Sequence, residues 1–272
     1  MRCTMDYKMI VLDLDGTLTN SDKQISPPTK QALIDIQEQG ILVVLASGRP
    51  INGVKPLAQE LKLDHYDSYI LSFNGARITR CNRWETIYSK CIPPSVIQPI
   101  LDITKTYEGL DLWTYEGEDI LSAIKQNEYT ELEHRICHMN IKHVEDFIAY
   151  VTFPINKLLI AGDPAVIEDL MKELQEKFNS LLSIYRSEPF YLEIMPQNID
   201  KAHSLQKLIS SIGINAEEMI CCGDGYNDIT MIEYAGLGVA MGNAQSIVKE
   251  TADFITLSND EDGVLHVIKN FL

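Results

Sequence analysis

Residues 9–17 read Met9-Ile10-Val11-Leu12-Asp13-Leu14-Asp15-Gly16-Thr17. The run Met9–Leu14 is almost wholly apolar at successive positions, the pattern of a strand covered on both faces in a parallel sheet. Its two aspartates fall at the carboxyl end of that strand, where open parallel sheets place their ligands. Carboxylates at i and i+2 repel at close range unless a cation or a shared proton relieves them. Gly16 allows a sharp exit and lets a ligand approach the backbone. An Asp-Gly pair alone reads equally well as a solvated turn, so the rest of the chain has to decide between the two.

Working outward, strand-like and helix-like runs alternate, which favours an α/β fold with a parallel sheet. Ser26–Gly40 reads as a helix, with Ser26 at the N-cap, Pro27 in the first turn and Gly40 as the stop. Ile41–Ala46 is a second buried strand. Val54, Leu57, Ala58 and Leu61 then mark a helical face, and Tyr69–Ser72 a third strand. After Asn74-Gly75 the pattern changes. Ala76–Arg80 and Glu85–Ser89 flank the polar turn Cys81-Asn82-Arg83, a hairpin signal. Mixed elements continue to about Pro189, including a strand at Lys157–Ala161 and a helix through Val166, Leu170 and Leu174. The alternation resumes from Lys201 and continues to a final helix at Val264–Phe271. The expectation is a discontinuous core domain, 1–83 with 190–272, interrupted by an inserted α+β domain at 84–189.

Three further motifs sit at predicted strand ends or helix starts. Leu45-Ala46-Ser47-Gly48-Arg49 supplies a hydroxyl and an unobstructed N–H, both suited to a phosphoryl oxygen. Asp200-Lys201 opens a helix: Asp200 is a good N-cap, while Lys201 opposes the helix dipole unless cation and helix N-terminus face a common anion. Gly223-Asp224-Gly225-Tyr226-Asn227-Asp228 is the most specific, since oxygen-bearing side chains beside glycines suit a hard cation with few carboxylate ligands, which is magnesium behaviour.

The 272 residues carry a net charge of −16, which argues against broad nucleic-acid or anionic-membrane binding. A small anionic substrate stays compatible, because a divalent cation and one lysine reverse the sign locally. No apolar stretch approaches the ~18 residues that span a bilayer. The segment MRCTMDYK has no signal-peptide core, so the cytoplasm is the default location. The six cysteines form no CxxC pair, and Cys221 and Cys222 read as buried free thiols. His134 and His138 fall one helical turn apart but lack the glutamate of a zinc protease helix, so a solvated face is preferred there. Trp84 and Trp113 read as packing residues of the inserted domain.

Taken together, the four motifs resemble those of the haloacid dehalogenase (HAD) superfamily, and more closely its Cof-type, subclass IIB sugar-phosphatase branch. The resemblance covers essentially the whole chain, including Ser72-Phe73-Asn74-Gly75-Ala76 and the run Ala235–Ala244. Ala202 stands where this branch commonly has glycine after the lysine. The resemblance implies a Rossmann-like three-layer core with a parallel sheet and an inserted α+β cap that sets substrate specificity. It implies a Mg²⁺-dependent phosphatase in which Asp13 attacks phosphorus and Asp15 serves as acid and base. Metal would be held by the Asp13 carboxylate, the Asp15 backbone carbonyl, Asp224 and, directly or through water, Asp228. Ser47, Gly48, Lys201, Asn227 and the Leu14 N–H would hold phosphoryl oxygens, with Arg49 orienting the second loop. Sugar phosphates rank first as substrates, ahead of nucleotide, flavin-pathway and pyridoxal phosphates. A phosphomutase keeps the same residues, and a phospho-receiver of about half this length is the non-enzymatic alternative. The expected state is a monomer or weak homo-oligomer whose partner is a small phosphate ester.

Overall fold

The computed structural model describes residues 7–272, so Cys3 lies outside the described residues. The chain opens with β1 (Met9–Leu12), α1 (Pro27–Glu38), β2 (Leu42–Ala46), α2 (Ile51–Glu60), β3 (Tyr69–Ser72), β4 (Arg77–Arg80) and β5 (Glu85–Ser89). It continues with α3 (Pro94–Thr104), β6 (Asp111–Glu116), β7 (Asp119–Ser122), α4 (Glu128–Cys137), β8 (Asn140–His143) and α5 (Phe147–Tyr150). Then come β9 (Leu158–Ala161), α6 (Pro164–Phe178), β10 (Leu182–Glu188) and β11 (Tyr191–Pro196). The last stretch holds α7 (Lys201–Ile212), β12 (Met219–Gly223), α8 (Ile229–Tyr234), β13 (Leu237–Ala240), α9 (Ser246–Thr251), β14 (Phe254–Ile255) and α10 (Gly263–Phe271).

These elements form two compact units. One takes in the chain up to Tyr88 and again Asp200–Leu272; the other is Ser89–Ile199. The first unit is α/β. Its eight-stranded sheet runs β14-β13-β12-β1-β2-β3-β4-β5, parallel from β14 to β3 and antiparallel at β4. Side chains alternate between two cores. Ile10, Leu12, Val43, Leu45, Ile220 and Cys222 pack with residues of α1, α2 and α10. Met9, Val11, Val44, Ala46, Met219 and Cys221 pack with Leu205, Leu208 and Ile209 of α7. A sheet buried on both faces explains the continuous apolar runs of β1, β2 and β12.

Local chemistry sets the helix ends. The Ser26 hydroxyl accepts the Thr29 N–H, with prolines in the first turn of α1, and Asp200 accepts the His203 N–H at the start of α7. Gly213 ends α7 at φ +74°, a conformation glycine adopts without a Cβ penalty.

The second unit holds a mixed six-stranded sheet, β10-β11-β9-β6-β7-β8. One face packs residues of α3 and α6, including Ile97, Ile100, Ile167 and Leu170. The other carries Trp113, Leu159 and Tyr191 against the helix side of Cys137. Its limits differ from the expected 84–189. Strand β5 is the last strand of the first sheet, and β11 pairs with both β9 and β10, so 84–88 belong to the first unit and 190–199 to the second. Trp84 therefore packs in the first unit, with the Lys55 ammonium 4.7 Å from its ring centre. Trp113 is fully buried in the second, as expected of a packing residue.

Asp111, fully buried at the start of β6, organises this second unit. Its carboxylate accepts hydroxyls of Ser122 and Thr130 at 2.8 Å each and the N–H groups of Leu112 and Ile124. Removing it strands these donors, so Asp111→Ala should destabilise the protein by about 3 kcal/mol. Urea unfolding followed by circular dichroism measures this; a loss under about 1 kcal/mol would rule the anchoring role out.

Candidate active site

Asp13 leaves the end of β1 almost completely buried, and Lys201 at the start of α7 is wholly so. The Lys201 ammonium donates to Asp13 Oδ1 at 2.5 Å and to Asp228 Oδ1 at 2.6 Å. A lysine in the first turn of a helix is unfavourable by itself. Here two buried carboxylates more than compensate, and the lysine stays charged: burial lowers its proton affinity, but Asp13 and Asp228 raise it above the usual lysine value.

Beyond β12 the loop Gly223–Asp228 is tied by its own last residue. Asp228 Oδ2 accepts the N–H groups of Asp224 and Gly225, both at 2.9 Å. A Cβ on Gly223 would come 2.4 Å from that of Asp228, so only glycine admits the fold-back. Asp224 Oδ1 accepts the Thr17 hydroxyl at 2.7 Å. Gly16, at φ +81°, lets the turn pass so close that a Cβ there would meet Asp224 Oδ2 at 2.4 Å. One oxygen from each of Asp13, Asp224 and Asp228 lies within 4.8 Å of the others. This all-oxygen, carboxylate-rich set fits a hard divalent cation.

The second loop meets the turn after β3. Ser47 is buried, and its hydroxyl accepts the Arg49 N–H at 3.1 Å. Its carbonyl accepts the Asn74 N–H at 2.9 Å. Asn74 adopts φ +51°, a left-handed conformation that asparagine tolerates better than most residues. A Cβ on Gly48 would press within 3.2 Å of the Asn74 amide oxygen. Asn227 donates to that same oxygen at 3.1 Å. Asn74 thus joins the second and fourth motifs, and Leu14 bridges to the first turn by accepting the Thr17 and Thr19 N–H groups.

Asp15 points elsewhere. Its Oδ1 accepts from Arg49 Nη2 at 2.6 Å and Lys23 Nζ at 2.7 Å, and its Oδ2 from Arg49 Nε at 2.8 Å. Its side chain is not part of the acidic cluster.

Environment separates the carboxyls. Burial pushes Asp13 well above the usual carboxylate range; Lys201 opposes this and Asp228 adds to it. Burial likewise pushes Asp224 up to about 6, with Thr17 opposing and Asp228 reinforcing. Asp15 goes the other way: burial raises it, but the bonds and charges of Arg49 and Lys23 outweigh burial and bring it below the ordinary value.

All the sequence-derived residues, Asp13, Leu14, Asp15, Ser47, Gly48, Lys201, Asp224, Asn227 and Asp228, thus lie at one edge of the first sheet, Lys201 at a helix start and the others in the turns and loops beyond the strands. Sequence reasoning missed the bridging by Asn74, the support of Asp224 by Thr17 and the two cations on Asp15. Asn74-Gly75 beyond a strand end was the available signal for the first; Lys23 had none. His138 caps α4 in a left-handed conformation, and His134 Nδ1 contacts the Met139 carbonyl. Among the described residues no three-residue metal group includes them. Cys221 and Cys222 are buried free thiols, as expected. No helix among the described residues is long and apolar enough to cross a membrane.

A doubly covered parallel sheet with aspartates, a lysine and a serine converging at its carboxyl edge defines a phosphoryl-handling hydrolase. The family profile described as haloacid dehalogenase-like hydrolase matches residues 10–268. A HAD-like hydrolase structure from Bacteroides thetaiotaomicron superposes with a TM-score of 0.95 at 45% identity, covering 98% of this chain and 100% of that one. The HAD subclass IIB sugar phosphatase BT4131 superposes with a TM-score of 0.82 at 27% identity over 97% and 98% of the two chains. The 5-amino-6-(5-phospho-D-ribitylamino)uracil phosphatase YcsE of Bacillus subtilis (strain 168) is 32% identical over 98% of this chain and 97% of its own. The chain belongs to the haloacid dehalogenase-like hydrolases, Cof-type, and is an enzyme of the phosphoric monoester hydrolase class.

Without metal, the raised Asp224 gives a definite sign. Between the unfolded carboxylate range and about pH 6 Asp224 binds more proton in the folded protein than in the unfolded one, so its own contribution to stability falls as pH rises through that window. A divalent cation relieves the repulsion only where the carboxylates are ionised. The rise in Tm caused by Mg²⁺ should therefore be larger at about pH 7.5 than at about pH 5. Calorimetry with and without Mg²⁺ checks this, and an equal or reversed shift would contradict it.

Proposed function

We propose that this enzyme is a Mg²⁺-dependent phosphatase of small phosphate monoesters, with sugar phosphates as its main class, acting through an aspartyl-phosphate on Asp13. The observation that carries the reading is the buried Asp13–Lys201–Asp228 ion cluster beside Asp224 at the sheet's carboxyl edge. Asp13, Asp224, the Asp15 carbonyl and Asp228 would hold Mg²⁺. When bound, the ion would neutralise charge on the phosphoryl oxygens and on the crowded carboxylates.

Asp13 is the nucleophile: its oxygen bonds to phosphorus as the ester P–O bond breaks. Asp15 gives its proton to the departing alkoxide. In the second half Asp15 takes a proton from water, whose oxygen bonds to phosphorus as the Asp13–phosphorus bond breaks and phosphate leaves. A carboxylate is a weak nucleophile, so the gain comes from position and from charge. Lys201, Ser47, the Gly48 and Leu14 N–H groups and Asn227 orient the phosphoryl oxygens. Asn74 keeps Asn227 in register with the second loop.

A flavin-pathway phosphate is the second reading, because two Bacillus subtilis relatives along nearly the whole chain are named 5-amino-6-(5-phospho-D-ribitylamino)uracil phosphatases. A phosphate-ester panel with Mg²⁺, ranked by kcat/KM, separates the two classes. Free phosphate release distinguishes both from a phosphomutase.

Asp13→Asn should lower turnover at least ~10³-fold on every ester while leaving the far-ultraviolet circular dichroism unchanged. Phosphate release near the wild-type rate from this variant would sink the nucleophile assignment.

A further inference from the structure

The bonds on Asp15 are more elaborate than its role in stability warrants. Arg49 presents a two-point pair, Nη2 to Oδ1 at 2.6 Å and Nε to Oδ2 at 2.8 Å. Its Nη1 donates to the Gly53 carbonyl in α2 at 3.3 Å, so the guanidinium plane is fixed from both sides. Its side chain is only 12% exposed, against 37% for Asp15. The second cation, Lys23, arrives from a turn built for it. Lys23 holds φ +61°. Asn20 Oδ1 accepts the Asp22 and Gln24 N–H groups, and the Asn20 carbonyl accepts that of Lys23. That turn is pinned in place: Ser21 donates twice to Asp260, and the Asn259 amide donates to the Thr19 carbonyl at 2.9 Å.

The Lys23 pair is exposed and contributes at most about 1 kcal/mol, too little to account for a left-handed lysine and a pinned loop. What the arrangement does secure is direction. Oδ1 has both lone pairs engaged, by Arg49 and Lys23, while Oδ2 takes a single bond. One lone pair of Oδ2 is thus left to exchange a proton, and the Arg49 pair sets where it points.

Resting on the aspartyl-phosphate reading above, we infer that Arg49 and Lys23 are positioning residues for Asp15, and that they serve chiefly the second half-reaction. Hydrolysis of the phosphoenzyme is the step that needs an acceptor lone pair aimed at water. A carboxylate taking three charge-assisted bonds from two cations is arranged as that acceptor. Arg49 contributes orientation, which lysine cannot reproduce with a point charge. Lys23, the more exposed partner at 57%, contributes charge and holds Oδ1.

The test separates the two halves with p-nitrophenyl phosphate, whose leaving group needs little protonation. Rapid quenching of the Mg²⁺-loaded full-length enzyme gives the rates of phosphoenzyme formation and decay. For Arg49→Ala and Arg49→Lys, formation should stay within about 5-fold of wild type while decay slows about 10²-fold. Phosphoenzyme should then accumulate, with a nitrophenolate burst of one per site. Lys23→Ala should show the same pattern at about 10-fold or less. Free guanidinium ion, below denaturing concentration, should restore decay in Arg49→Ala but not in Arg49→Lys. Decay at the wild-type rate, or formation and decay slowed equally, would overturn the positioning role. Asp15→Asn guards the underlying reading: if it too forms and loses phosphoenzyme at wild-type rates, the acid/base assignment fails rather than the role of Arg49.

Discussion

The structure of the site depends on one buried charge. Lys201 is wholly buried and reaches two carboxylates from different strands, Asp13 beyond β1 and Asp228 beyond β12. Removing one partner of such a buried pair typically costs about 3–5 kcal/mol, because the remaining charge is stranded. The cluster therefore ties α7 to the β1–β12 edge. It also leaves the acidic side in excess, since one lysine cannot neutralise Asp13, Asp224 and Asp228 together. That residual repulsion is what a divalent cation and a phosphoryl group would settle between them.

Glycine placement makes this density of charge possible. Gly16 and Gly223 are each so close to an acidic side chain that a Cβ would sit 2.4 Å from it. They bring the Asp13–Thr17 turn and the Asp224–Asp228 loop into contact, with Thr17 on Asp224 as the seam. On the opposite side, Asn74 does comparable work with its amide, joined by Asn227 and crowding Gly48. The Ser47–Arg49 loop and the acidic loop are thus coupled through an element that belongs to neither.

Much of this was legible in the chain. The unbroken apolar runs at Met9–Leu12, Leu42–Ala46 and Met219–Gly223 betray strands buried on both faces, and caps such as Ser26 and Asp200 mark the helix starts. The four motifs name the residues that meet at the sheet edge. Contacts between loops distant in sequence were not legible: Asn74 with Asn227, or Lys23 with Asp15, follow from tertiary placement that no local period encodes. The second unit was also obscure. Its sheet is covered on one face by α3 and α6 and on the other carries Trp113 and Tyr191 against Cys137, and the sequence reading assigns no element to β11. The boundary at 84–88 slipped for a related reason: β5 is an exposed, polar edge strand and carries no burial signal.

Asp13 and Asp15, two residues apart, end in opposite environments. Asp13 is enclosed, sharing its lysine with Asp228, and burial raises its proton affinity. As long as the acidic side goes unneutralised, its ionised form is disfavoured, and on the proposed mechanism a bound cation would release it. Asp15 is partly open to solvent, and two cations from different loops lower its proton affinity. On the proposed mechanism the same strand end would thus present a carboxylate that a metal unlocks and one that arginine and lysine hold as a proton acceptor. Neighbouring titratable groups pushed apart by their surroundings are how one scaffold runs both halves of a displacement. Here the separation comes from which loop each aspartate meets as the chain turns at Gly16.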